Sequence, residues 1–570
     1  MKALKSLMRG KSQRKGSILV MVLVVSTVLW LSIIYSMSAM TDSRTLSLQN
    51  IEHDRALMLA QSGLSQGIEW LNVQGTQPTT DTTLDPSTVI SNPNSTNYDL
   101  DVKIFPAVVS SNAVWTISST ATYKPNTGTV AKAFSRRVQA TVYQQNFARY
   151  EQFTDKTDVW TPGYLHFYGF NAVYFGPFHV NSGMGLWPNL WFVDESTGAA
   201  PDGIYYYANY NAYVNAVYNK VSSKTRINIM QYYNSTYQFA PKFYKGLQRI
   251  NNISIPQDLS VDQRSSALRS NAGLNLPTDL ATYLDPVTNA PFYDSTKGSK
   301  FVIVAEDPTG AQNDGVLKIR QYRGKISGVP QYGPEVTKSI SSINGAMIVT
   351  GDIESLKGTL DGRLTIGAFK TSSTSGDGNI KIDGSLEYES RVALGSNFKY
   401  SDAPELYTSD GANVNLSYVD TLKNQVYGLN DILGIVAEKE VIVPRYDLSG
   451  APVGTSMTNS MHMDCIVMAT GSSTSGTTDG AFYPEDMLNR PTGLCHKLGG
   501  VIQNVGKSWA LFNSGNFVAG LDGPSLWDFR AVQPGGAPPF FPTTGVFTYY
   551  KNSWRDTYVA SASEAPTLPN

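Results

Sequence analysis

SILVMVLVVSTVLWLSIIYSMSAM, Ser17 to Met40, is a run of 24 residues without a charged side chain. At about 1.5 Å per helical residue it can cross a hydrocarbon core about 30 Å thick, whereas the apolar region of an ordinary secretory signal is only about 7 to 15 residues long. The run is therefore expected to stay on the protein as an anchor. Upstream, residues 1–16 hold Lys2, Lys5, Arg9, Lys11, Arg14 and Lys15 and no acid, which predicts a cytoplasmic N-terminal side. Downstream the chain turns polar but has no proline until Pro78, and Leu57, Ala60, Leu64, Ile68 and Leu71 recur at helical spacing. The spacing predicts one helix of about 55 residues, about 80 Å long, with Gly63 and Gly67 weakening its last turns.

No small-x-small cleavage site follows the apolar run; the processing-like residue is Gly16, ahead of it. Arg14-Lys15-Gly16 followed by Ser17-Ile18-Leu19-Val20-Met21 resembles a prepilin peptidase site. Leu59-Ala60-Gln61-Ser62-Gly63-Leu64 is similar to the small-residue stretch of PilX-type N-termini of type IV pilin-like proteins. The resemblance implies that a leader, 1–16, is removed between Gly16 and Ser17 and that Ser17 is N-methylated. It also implies a single-pass precursor in the bacterial inner membrane that later joins an extracytoplasmic pilus or pseudopilus. The implied partners are prepilin peptidase and other pilins or minor pilins, contacted through the Ser17 to Leu71 helix. Most members carry Glu at the fifth mature position, where this chain has Met21, and subunits lacking it resemble GspK-type tip components. A buried acid without its partner is costly, so a subunit with no neighbour ahead of it can do without one. Placement at the tip follows as an expectation.

The remaining 500 or so residues set the fold class. With 45 basic and 46 acidic residues the net charge is −1, so no overall field draws nucleic acid, anionic lipid or acidic substrates. Charged residues are 16%, against 32 Tyr and 48 Gly, which suits β-rich extracellular surfaces. The expected class is mainly β with a long N-terminal α-helix (17–74). After a loop from Gly75 to Thr96, three segments alternate: Tyr98/Leu100/Val102/Ile104, Trp115/Ile117/Ala121/Tyr123 and Val138/Ala140/Val142. They predict a small antiparallel head over 75–146, packed on the stem. Residues 147–340 read as an irregular, aromatic-rich β region that includes Tyr205 to Tyr207 and Tyr232-Tyr233. From 341 to 570, short β-prone pieces alternate with Gly and Asp-Gly turns, and Ile348, Ile366 and Ile382 recur 18 and 16 residues apart. That recurrence predicts a β-helix or β-solenoid with a C-terminal extension. Gly176 to Ser182, Gly351 to Tyr388, Leu433 to Pro444, Gly499 to Gln503 and Pro538 to Pro542 resemble an uncharacterised extracellular domain that accompanies PilX-type N-termini. In architecture the chain is similar to the large ComZ-type minor pilins, which implies DNA as a ligand; a surface glycan is the other expected ligand.

Chemistry-bearing residues are sparse. Gly500-Val-Ile-Gln-Asn-Val-Gly506-Lys507-Ser508 looks like a phosphate-cradling loop but has five residues between its glycines where four are needed. His462, Cys465, Cys495 and His496 could supply a zinc site, although adjacent ligands diverge on a strand. In an oxidising exterior a Cys465 to Cys495 disulfide is favoured, worth about 3 kcal/mol if unstrained, with free buried thiols as the other reading. Asp352, Asp361, Asp377 and Asp383 each adjoin a glycine, which is turn chemistry, with calcium ligation or paired catalytic acids as alternatives. His53, His166 and His179 carry no recognisable motif. Arg363, Lys370, Lys381, Arg391 and Lys399 could track a phosphate backbone if aligned on one face. The expected function is assembly and surface contact without catalysis or a cofactor: a minor pilin near the filament tip. The alternatives are a DNA-uptake tip pilin, an adhesin, a secretion pseudopilin, or a membrane-anchored polysaccharide-active β-helix enzyme.

Overall fold

The computed structural model describes residues 2–73, 78–85, 98–109, 112–123, 133–157, 167–168, 172–181, 184–186, 190–198, 204–206, 242–249, 253–370, 378–409, 413–454, 460–471, 479–513, 516–533, 535–550 and 553–558. Two compact units emerge. One comprises Met1–Ala107, Ala113–Tyr143 and Phe547–Asn570; the other comprises Val108–Asn112 and Gln144–Val546.

The first unit is built on a single helix, Lys2–Val73. Its stretch Ile18–Asn72 is long and apolar enough to cross a membrane, and the most apolar window within it is wholly unburied. The C-terminal part behaves differently: Ala56 is buried, and Ala60, Leu64 and Leu71 are buried in a core with Leu100, Val102, Ile104, Ile117, Val138 and Ala140. These sheet residues are the inward parity of the three alternating segments, which form the neighbouring strands Tyr98–Val109, Asn112–Tyr123 and Phe134–Asn146. The glycines do not fray the helix. A Cβ on Gly67 would lie 2.7 Å from Ile117 Cγ2, and one on Gly63 would collide with Ser119 Oγ, so their bareness lets the helix lie close on the sheet. Their helix-propensity cost of about 1 kcal/mol each is offset by that approach.

The sheet is completed from the far end of the chain. Arg555–Tyr558 runs antiparallel to Phe134–Asn146, with Arg555 opposite Gln139 and Tyr558 opposite Arg136. Asp556 pairs with Arg136, and the Phe547 ring packs edge-on to Trp115 at 5.3 Å. The C-terminal extension expected to continue the 341–570 domain therefore returns in part to the first unit. Strand pairing across some 400 residues leaves no local sequence trace.

In the second unit, one sheet of ten strands among the described residues is parallel throughout. In spatial order it runs Leu247–Arg249, Ser196–Gly198, Phe178–Val180, Gln152–Thr157, Val501–Gly506, Ile466–Ala469, Ile432–Ala437, Arg363–Phe369, Ala346–Thr350 and Leu274–Leu276. A second sheet contains the parallel neighbours Lys300–Glu306, Asp352–Leu360, Ile380–Tyr388, Met461–Asp464 and Gly493–Leu498. Segments alternate between the two sheets, several of them through very short links: Gly351 between Thr350 and Asp352, Cys465 between Asp464 and Ile466, Gly499-Gly500 between Leu498 and Val501. At that last corner Gly499 has φ +142°, and a Cβ there would strike the carbonyl oxygen of Cys465 on the neighbouring corner.

One face of the ten-stranded sheet packs with the second sheet through Met347, Val349, Leu364, Ile366, Leu433, Ile435, Ile353, Leu356, Ile380 and Ile382. Its other face is covered as well: Ala346, Ile348, Ile432, Val436, Ile466, Met468 and Ile502 pack with Phe541, Leu268 and Ile255. Burial on both faces explains the unbroken apolar runs Ala346-Met-Ile-Val and Ile432-Leu-Gly-Ile-Val-Ala.

Strand pairing corrects three expectations drawn from the sequence. The 147–340 region is not separate from 341–570, because Gln152–Thr157 lies beside Val501–Gly506 and Leu274–Leu276 beside Ala346–Thr350. Ile348, Ile366 and Ile382 do not line one stack: Ile366 is opposite Met347 and Ile435, Ile348 is opposite Gly367, and Ile382 is opposite Leu356 in the other sheet. Asp383-Gly384 is no turn but lies inside the strand Ile380–Tyr388.

Candidate functional site

Gly16 and Ser17, the expected processing pair, are consecutive residues within the Lys2–Val73 helix. Met21 stands five residues into the expected mature chain with 70% of its surface exposed, and Leu19, Leu23 and Trp30 are comparably bare. Residues 18–40 thus present apolar side chains on every side, the pattern of a helix meant for lipid or for other helices.

The basic residues proposed for a phosphate track are each engaged within the chain. Arg363 donates to the carbonyls of Gly535 (2.6 Å) and Ala537 (2.7 Å), Lys370 reaches Asp258 and Glu438 (both 3.4 Å), Lys381 pairs with Glu354 (2.7 Å), and Lys399 donates to Ser396 O (2.8 Å). Arg391 pairs through Nε with Asp464 and through Nη2 with Glu387 (2.6 Å). The phosphate-loop lookalike is the extended strand Val501–Gly506, and Lys507 Nζ sits on Glu440 (2.8 Å).

Cys465 and Cys495 are both free, buried thiols. Cys495 is opposite Met461, whereas the backbone N–H of Cys465 donates to Leu498 O, so the two lie at different levels along neighbouring strands. A disulfide needs Cα atoms within about 7 Å, which this offset does not provide. Burial pushes the Cys495 thiol up to about 12, so it is no nucleophile at neutral pH.

Among the expected acids, Asp361 accepts backbone N–H groups from Asn313 (2.8 Å), Asp314 (2.6 Å) and Gly315 (3.1 Å). Asp352 accepts from Asn379 N (2.9 Å), and Asp383 from Ser355 Oγ (2.7 Å). These carboxylates organise backbone and neighbouring strands; Asp377 lies outside the described residues. Asp307, Asp314 and Asp361 bring one oxygen each within 4.8 Å of one another, with Asp361 already occupied by its three donors. His179 is a core residue stacked on Phe153 at 4.8 Å, and burial lowers its pKa to about 4. His53 packs on Phe134 at 4.9 Å, and His166 is outside the described residues.

One concave site gathers side chains that are scattered in the sequence. After Ile380–Tyr388 the chain makes an excursion before returning to the sheets at Ile432, carrying the helices Glu389–Leu394 and Leu416–Tyr427. Residues of this excursion enclose, with His462 and His496, a recess of about 460 Å³. The two histidines are directly opposite in register on Met461–Asp464 and Gly493–Leu498, with ring centroids 4.8 Å apart, and the Tyr400 ring lies 4.9 Å from His496. Tyr400 Oη is 3.4 Å from His462 Nδ1. Burial, then Arg391 and the neighbouring imidazole, lower the His462 pKa to about 4. The sequence suggests grouping these histidines with the cysteines; in the strands Cys495 is buried inward while His496 lines the recess. No family model, curated protein or solved structure matches the chain.

Proposed function

We propose that this protein is a pilin-like subunit of an extracytoplasmic filament, a minor pilin at or near the tip, whose second unit is a β-solenoid displayed for surface contact. The observation that carries the reading is the division of labour along one helix. Residues 18–40 are apolar and bare on all sides, while Ala60, Gly63, Leu64, Gly67 and Leu71 seat the same helix on an antiparallel sheet. A plain membrane tether needs the first half only; a stem that moves from bilayer to filament core needs a head rigidly fixed to it as well. Met21 supports the tip position, since the first subunit has no neighbour to receive an acid. The alternation of segments between a parallel ten-stranded sheet and a second, mixed sheet, with one- and two-residue corners at several of the crossings, supports the solenoid reading. Surface contact is favoured over DNA capture because the five basic residues of the expected track are all engaged internally.

The test is the N-terminal mass of the protein recovered from sheared surface filaments, with and without prepilin peptidase. A methylated Ser17 that requires the peptidase is the expected result. An intact Met1, or absence of the protein from filaments, refutes the proposal.

A further inference from the structure

The recess beside His462 and His496 is built by an insertion into an otherwise regular pattern of sheets, the place where a rigid scaffold carries recognition residues. Its volume of about 460 Å³ lies in the range of small-molecule sites. Its charges and hydrogen-bonding groups define the chemistry it would accept.

Arg391 is the most buried cation of the wall, and its charge is answered by Asp464, fully buried, and by Glu387. Lys399, whose Nζ donates to Ser396 O, shares the lining with Asp402 and Glu405. No surplus positive charge remains to hold a phosphate, sulfate or carboxylate. Nor do the histidines make a metal centre: among the described residues no third His, Cys, Asp or Glu atom joins them within ligand reach. Hydrogen-bonding capacity, by contrast, is unspent. Arg391 bonds Asp464 and Glu387 through Nε and Nη2, which leaves its Nη1 unpaired among the described residues. Both imidazoles are kept neutral by burial; with His462 Nδ1 engaged by Tyr400 Oη at 3.4 Å and His496 Nδ1 shielded, each ring has its Nε2 left to donate or accept, and the Tyr400 hydroxyl keeps part of its capacity. Tyr418 supplies a part-exposed ring beside these groups, while Phe398 and Tyr400 are each only 6% exposed. Closely spaced donors and acceptors beside an aromatic ring, with no surplus positive charge, complement a ring that carries neighbouring hydroxyls on its edge and C–H groups on its faces.

We propose that this recess binds a neutral saccharide, with Arg391 Nη1, Tyr400 Oη and the His462 and His496 imidazoles meeting its hydroxyls and the Tyr418 ring packing on a sugar face. The inference names a ligand class for the displayed unit and does not depend on filament membership, because its test uses purified protein.

The detergent-solubilised full chain is applied to an array of neutral oligosaccharides ending in glucose, galactose, mannose or N-acetylglucosamine, beside sialylated and sulfated ones. The best neutral oligosaccharide is then titrated calorimetrically, and pull-down on the corresponding insoluble polysaccharide separates a polymer ligand from a free sugar. Binding of a neutral saccharide is expected, weakened roughly tenfold or more by Tyr400→Ala and by His496→Ala, with salt-insensitive affinity. Should either variant misfold by near-UV circular dichroism, the volume-conserving Tyr400→Phe and His496→Gln are titrated instead, and a loss of about threefold or more is expected. The proposal is overturned if no neutral saccharide binds, if only the acidic ones do, or if binding is indifferent to the recess variants. Any of these leaves the Ser17 mass test untouched.

Discussion

The two units solve the same problem, burying β-strands, in opposite ways. In the first, an antiparallel sheet is covered by one helix, and its inward residues alternate in sequence: Leu100, Val102 and Ile104 on one strand, Val138, Ala140 and Val142 on another. In the second, a parallel sheet is covered on both faces, and strands such as Ile432–Ala437 are apolar throughout. The contrast teaches that the sheets differ in what fills the second face: polar residues such as Thr116, Ser118, Gln139 and Thr141 in the first, apolar ones in the second. It also teaches where fragility lies. The first unit depends on a strand borrowed from the far end of the chain, whereas the second is closed by short corners and buried polar caps.

The largest expected effect comes from that difference. Ending the chain at Val546 removes Phe547, the strand Arg555–Tyr558 and the partner of Arg136, and should cost the first unit more than about 4 kcal/mol. Calorimetry should show its transition lost or strongly lowered while that of the second unit persists; a joint collapse would break the comparison. Next comes pH. Burial raises the Glu151 carboxyl to about 8, and it accepts the Gly176 N–H at 2.6 Å. A folded pKa above the unfolded value of 4.5 means that the native state holds the proton more tightly. Its stabilising contribution is full below pH 4.5 and is lost as pH rises through 8. The second unit should therefore weaken by about 2–4 kcal/mol between about pH 5 and 8.5, and Glu151→Gln, which retains an acceptor, should flatten that slope in urea titrations.

Asp361→Ala strips three backbone N–H groups of their acceptor and should cost about 2–3 kcal/mol in the same titrations, with Asp361→Asn recovering part of it. The smallest effect sharpens the role of the stem. Gly63→Ala gains helix propensity yet must displace Ser119, so a net loss of about 1 kcal/mol is expected, while Ser62→Ala on the exposed face should be neutral or slightly stabilising. A stabilising Gly63→Ala would mean that the glycines are helix weaknesses after all.

Much of the first unit was legible because its signals are local. An uncharged run, a helical spacing and three alternating strands each lie within a few tens of residues. The glycines at 63 and 67 were visible but misread, since propensity describes an isolated helix and not one pressed on a sheet. The Gly and Asp-Gly punctuation after residue 343 correctly announced turns at Gly351 and Asp361-Gly362, both with positive-φ glycines, and failed at Asp383-Gly384, where a strand runs on. The recess was not legible: Arg391, Tyr400, His462 and His496 come from three distant stretches and obey no common period.

By itself the sequence determined an apolar stem, a helical continuation, a β-rich remainder and the absence of any overall charge bias, because each is set by composition or by spacing along the chain. Tertiary structure alone decided that Arg555–Tyr558 completes the first sheet, that Gln152–Thr157 borders Val501–Gly506, that the cysteines stay apart, and that two histidines face one recess. Strand pairing between distant segments depends on which buried faces fit together in space, and neither composition nor periodicity carries that information.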